Sequence, residues 1–228
     1  MAHTHDDDFT EEPIRGLPAR PPEGERILWQ GEPSWRALAK RAFLTKIVAI
    51  WFGLWCAWTL AELATGREGL TEATAGLTLQ VIQASIAIGI LTLIAYGTAK
   101  TTVYTLTNRR LVMRIGMALD LTLNLPFRQI ANLDLRAHGD GTGDLAVKLA
   151  GNDRIGYLHL WPHARPWCFN PAEPMLRSVP DAEHVGRLFA DALREDIARR
   201  EAEGEHPNQK IIRTVPRPLP PRGAMPAE

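Results

Sequence analysis

FLTKIVAIWFGLWCAWTLAELA (43–64) and LTLQVIQASIAIGILTLIAYG (77–97) are the stretches on which the architecture turns. The first carries Lys46 near its start and Glu62 near its end, and the second carries no charge. A bilayer core of about 30 Å needs about 20 residues at a helical rise of about 1.5 Å each, so both runs are long enough to cross. Helices buried in a soluble bundle usually keep one polar face, which these lack. The expected fold is therefore a membrane α-helical hairpin of two transmembrane helices, with residues 65–76 as the connecting loop. Arg36, Lys40, Arg41 and Lys46 flank the first span, and Lys100, Arg109, Arg110 and Arg114 follow the second, whereas the loop holds Arg67 against Glu68 and Glu72. The positive-inside rule then puts both termini in the cytoplasm and the loop in the periplasm, for an inner-membrane, multi-pass protein.

The rest of the chain is polar enough to hide the spans in the average: mean hydropathy is −0.15. The 26 basic residues balance 26 acidic ones, so no global field favours nucleic acid. Residues 1–42 form an expected N-terminal cytoplasmic segment, partly disordered, whose acidic, histidine-bearing start does not read as a secretory signal.

Helical spacing puts Gly53, Ala57 and Ala61 on one face of the first span, and Ser85 and Gly89 repeat that spacing in the second. Small residues four apart let helix backbones approach closely, so these faces are expected to close the hairpin. Trp51, Trp55 and Trp58 form a ridge on roughly the opposite side. It reads either as lipid-facing or hairpin-filling tryptophan, or as a ridge that packs on another membrane protein or a flat pigment.

After Lys100 the pattern changes from apolar runs to alternation. TTVYTLT (101–107), RLVMRIG (110–116), ALDLTLNL (118–125), IANLDLRAH (130–138), DLAVKLA (144–150) and RIGYLHLW (154–161) read as strands, with PMLRSV (174–179) as a short seventh. Pro180-Asp181 opens an amphipathic helix with Val185, Leu188, Phe189, Ala192, Leu193 and Ile197 on one face. An α+β cytoplasmic domain is expected over 98–203, a strongly bent sheet or partly open barrel of about seven strands with a C-terminal helix. Residues 204–228 are Pro-rich and expected to be an extended, disordered tail.

No cofactor is expected. Cys56 and Cys168 stand alone, and neither span contains a histidine to hold a chlorophyll-type pigment. Gln80 and Gln83 read as interhelical hydrogen-bonding groups. His159 and His163 have the spacing of helical metal ligands, but Pro162 intervenes. Asp140-Gly-Thr-Gly-Asp144 lacks the oxygen pattern of a calcium loop and reads as a hairpin turn. Without GxGxxG, P-loop, GxSxG or HExxH, no catalytic or metal residue is assigned and no enzyme is expected.

Two stretches carry a family resemblance. Glu25-Arg-Ile-Leu-Trp-Gln-Gly-Glu-Pro-Ser34 precedes the first span, and Tyr104-Thr-Leu-Thr-Asn-Arg-Arg-Leu-Val112 follows the second. Together with Pro126-Phe-Arg-Gln-Ile130 they resemble membrane proteins with a bacterial pleckstrin-homology domain, which implies a seven-stranded bent barrel closed by a C-terminal helix. Residues 12–43, WPHARPW (161–167) and EPMLRSVPDAEHV (173–185) are similar to the photosynthetic-complex assembly proteins of purple bacteria. That resemblance implies a non-catalytic factor whose transient partners are reaction-centre and core-antenna subunits. Membrane lipids are further expected partners, with lipid sensing through Arg109 and Arg110 as the alternative role; self-association is left open.

Overall fold

The computed structural model describes residues 15–17, 19–116, 121–150 and 156–204. The expected disordered stretches fall largely on residues outside these.

Strand β1 (Ile27–Gly31) and helix α1 (Trp35–Arg41) lead into α2 (Thr45–Ala64) and α3 (Leu70–Thr101). Both long helices are apolar and long enough to cross a membrane. The connection between them is shorter than the 65–76 expected. Helix α3 starts at Leu70, where Gly69 N–H donates to Glu72 Oε2 at 3.4 Å. At about 1.5 Å per residue it reaches nearly 50 Å, well beyond a bilayer core.

Strands β2 (Val103–Thr107), β3 (Arg110–Ile115) and β4 (Leu121–Pro126) follow as an antiparallel meander, and β1 pairs with β2 to give the order β1-β2-β3-β4. A second sheet has the order β5-β6-β8-β7, from β5 (Ile130–Ala137), β6 (Thr142–Leu149), β7 (Ala164–Phe169) and β8 (Ala172–Pro180). Helix α5 (Ala182–Ala202) covers β5 and β6. The core lies between the sheets and under α5, where Tyr104, Phe127, Phe189, Leu106, Leu111, Met113, Leu145 and Leu176 are fully buried. Phe127 meets Phe189 at 5.7 Å between ring centroids.

Three expectations change. The sheets are not closed into a barrel: the chain breaks at the 3-10 turn Phe127–Gln129 and starts a separate sheet. RIGYLHLW does not form a strand over its described part, because Tyr157–Leu160 is a helical turn, α4. The domain also does not begin at residue 98. Strand β1, taken as part of the N-terminal segment, is the edge of the first sheet, so the apolar helical hairpin is inserted between β1 and β2. Further upstream, Leu17 is buried, and Gly16, at φ +83°, lies so close to Val103 that a Cβ there would come within 2.6 Å of it.

The two motif stretches thus meet as neighbouring strands. Ile27 pairs with Thr107 and Gly31 with Tyr104. Asn108 clamps the start of β1: Arg26 N–H donates to its Oδ1 at 2.9 Å, and its Nδ2 donates to Gly24 O at 3.1 Å. The Thr107 hydroxyl oxygen accepts Arg109 and Arg110 N–H and tightens the two-residue turn. Arg110 makes a two-pronged ion pair with Glu25 at 2.7 and 2.9 Å, with the carboxylate almost fully buried.

Candidate functional site

The hairpin seam and the tryptophan ridge occupy different faces of α2. Along α2, Val48, Phe52, Cys56, Thr59 and Leu63 are shielded; along α3, Ala73, Leu77, Gln80, Ala84, Ala87, Leu91, Ile94 and Thr98 are shielded. Spacings of four and three residues alternate along α3 and mix along α2, the pattern of a left-handed helix pair. One polar contact crosses the seam: Gln80 Nε2 donates to Thr59 Oγ1 at 2.9 Å, both groups being buried. Gln83 is exposed.

The expected packing face is therefore displaced. Gly53, Ala57 and Ala61 are exposed, as are Ser85 and Gly89, and a Cβ added at Gly53 or Gly89 would meet nothing within 4 Å. Small residues do serve the seam, but as Ala73, Gly76, Ala84 and Ala87 of α3. A Cβ added at Gly76 would come within 3.9 Å of Thr59 across the seam.

Trp51, Trp55 and Trp58 are 58%, 41% and 61% exposed, on the flank of α2 beside the seam. Trp51 lies 5.4 Å from Trp55 and 5.0 Å from Phe52, ring centroid to centroid. The shielded Phe52 backs the cluster, so the ridge presents rigid aromatic area outward rather than filling the hairpin. Such surface suits van der Waals contact with another apolar partner.

At the end of the domain next to the apolar hairpin, α1 lies on the last turns of α3, with Leu38, Ala39 and Phe43 packed among Ala95, Ala99, Leu91 and Ile94. Trp35 meets Tyr96 edge-on at 6.0 Å, with the Arg36 guanidinium over the Trp35 ring. Contacts from Ser34, Arg41 and Phe43 join this collar to the second sheet and its connections. Ser34 N–H donates to Ser178 O, Arg41 pairs with Asp140 at 2.9 Å, and Phe43 meets Trp161 at 5.3 Å. The hydrogen bonds from Thr142, with Arg41 beside them, hold the Asp140 carboxyl well below the usual range. Asp144 turns inward instead, accepting Ser178 N–H at 2.8 Å and facing His138 Nε2 at 3.0 Å. The DGTGD segment is a hairpin turn with its two carboxylates aimed apart.

A buried polar knot lies just inside. Tyr104 OH accepts Arg177 N–H at 3.2 Å, so its proton goes to His163 Nδ1 at 2.6 Å. His163 Nε2 must then carry the ring proton, which it donates to Thr102 Oγ1 at 3.2 Å. Burial pushes His163 down to about 3, with the Arg177 charge adding to the effect, and burial raises Tyr104 above its ordinary value. Both groups are neutral at physiological pH. With both ring nitrogens of His163 engaged, the spacing to His159, whose side chain lies outside the described residues, has no ligand role to support. Among the described residues no group of His, Cys, Asp and Glu is placed to hold a metal ion.

Sequence reasoning passed over one surface. Trp167 and Phe169 on β7 and Trp161 before it are 86%, 59% and 48% exposed. The signal was present as two tryptophans and a phenylalanine within nine residues, but only the fold shows that they stand on a free sheet edge.

The bacterial PH domain family matches residues 43–193, a span that includes both apolar helices. A protein from Rhodobacter capsulatus, described as an uncharacterized 23.7 kDa protein in the puhA 5' region, is 38% identical over 190 residues. That alignment covers 82% of this chain and 88% of the relative. No solved structure matches. The family match extends over well over half of the chain and takes in the inserted hairpin with most of the sheet domain: this chain belongs to the bacterial PH-domain family.

Proposed function

We propose that this protein is a PuhB-type, non-catalytic assembly factor for the photosynthetic reaction centre and core light-harvesting complex. It would act in the bacterial inner, or intracytoplasmic, membrane with both termini in the cytoplasm. The observation that carries the reading is the gene position stated for the Rhodobacter capsulatus relative, in the puhA 5' region. The residue-level resemblance to assembly proteins points to the same setting. The exposed tryptophan ridge beside a closed seam supports it physically, because a surface left over after the hairpin has packed is available to a membrane partner.

Less supports the lipid-sensing alternative. Arg110 is committed to Glu25, and the Asn108-Arg109 turn lies at the end of β2 opposite Val103, about 16 Å from α3 at about 3.3 Å per residue.

In a deletion strain, reaction-centre and core-antenna absorbance should fall while their transcripts persist, because only a step after synthesis is lost. Normal complex levels would refute the assembly role. Complementation with Trp51, Trp55 and Trp58 all changed to Leu should leave insertion intact and restore the complexes only partly, since leucine favours the bilayer core but removes the aromatic anchors. Full rescue would return the ridge to lipid-facing surface.

A further inference from the structure

We propose that the free edge of the second sheet is a membrane-docking surface, with Trp161, Trp167 and Phe169 seated in the headgroup layer of the bilayer that α2 and α3 cross. The inference rests on those helices spanning a membrane and goes beyond the assembly role.

Two aromatic clusters, joined through α4, lead outward from the membrane entry. Phe43, one residue before the turn into α2, contacts Trp161 at 5.3 Å. Trp161 directly follows α4, whose Tyr157 meets Phe169 at 4.8 Å, and Phe169 meets Trp167 at 6.4 Å. The level of that entry is marked independently by Trp35 and Tyr96, the kind of aromatic pair that settles at a bilayer interface. Indole has an apolar body and a polar N–H, which the headgroup layer accommodates and bulk water does not.

Other occupants fit the edge poorly. β7 carries Pro166, which has no N–H to offer a new strand, and Trp167 at φ +67°, which breaks the extended run. The edge is thus blunted against strand addition by a second chain. Its charge is also internally satisfied: Arg165 pairs with Asp134 and Glu173, both at 2.8 Å. A neutral aromatic strip calls for an interface rather than for an anionic headgroup, so docking should persist on purely zwitterionic lipid.

The test uses full-length protein in phosphatidylcholine bilayers, with Cys56 and Cys168 changed to Ser and one nitroxide label per sample. Trp167→Cys and Phe169→Cys report the strip, and Asn170→Cys reports it with every aromatic left in place. Ile86→Cys on α3 and Asp191→Cys on α5 are the references. Collision with oxygen relative to a water-soluble nickel complex should be several-fold higher at 167, 169 and 170 than at 191, and lower than at 86. Values at the strip equal to those at 191 would overturn docking while leaving the spans intact. Protection from both reagents would also overturn it, by showing a protein contact. Aqueous behaviour at 86 would instead overturn the membrane reading itself.

Discussion

His163 has a ring with both nitrogens bonded inside the protein and no water to share a charge with, so its protonation state is tied to folding. Its folded value, about 3, lies below the unfolded value near 6.5. Between those values the unfolded chain binds a proton that the folded one does not, so stability is fully present above pH 6.5 and falls as pH drops toward 3. Going from pH 6.5 to pH 5 should cost about 2 kcal/mol from this group. His163→Gln should be less stable at neutral pH and should lose that share of the slope. Unfolding midpoints at pH 7.5 and pH 5 for both proteins check this, and parallel slopes would remove His163 as the cause. The residue was legible in the sequence only as half of a doubtful metal pair. Its partners, Thr102 and Tyr104, are some sixty positions away in the chain and meet it through the packing of one sheet on the other.

At the scale of the element, the hairpin seam shows how a helix face is chosen. Gly53, Ala57 and Ala61 satisfy a rule for close approach, but that rule describes what a helix permits and not which partner surface faces it. The mix of three- and four-residue spacings along both helices keeps a continuous seam over the whole contact, which an i, i+4 glycine line would leave after two turns. The buried Thr59–Gln80 bond sets the relative register of α2 and α3. Thr59→Val removes the acceptor and strands the Gln80 amide, which should cost about 1 kcal/mol. Thr59→Val with Gln80→Leu removes both partners and should be close to neutral, since interhelical bonds of this kind average about 0.6 kcal/mol. Unfolding of the purified protein in detergent measures both, and equal losses in the single and double variants would show that the bond does not matter.

For the whole molecule, the pairing of β1 with β2 puts the start of α2 and the end of α3 beside the same sheet, so both ends of the hairpin face one side. By the positive-inside rule the basic flanks make the cytoplasm the expected side. Alkaline phosphatase fused at Gly69, in the short α2–α3 connection, should be active, and the same fusion after Glu201 inactive; the reverse pattern would invert the orientation. The same pairing means that residues 98–203 are not a complete unit. Without β1, Glu25 is lost from Arg110 and β2 becomes an open edge.

The features determined by the sequence alone were those set by local chemistry: two apolar runs of spanning length, alternation over β2 to β6, and the amphipathic α5 that closes the domain. Each depends on side chains within a few residues of one another. The tertiary structure decided everything that required a distant partner. It placed β1 on β2 across the inserted hairpin, divided the eight strands of the described residues into two separate sheets, turned Tyr157–Leu160 into a helix, and left β7 as an aromatic edge. Hydrogen-bond ladders and packed faces join residues far apart in the chain, and neither composition nor period specifies which of several suitable partners a strand or a helix face will meet.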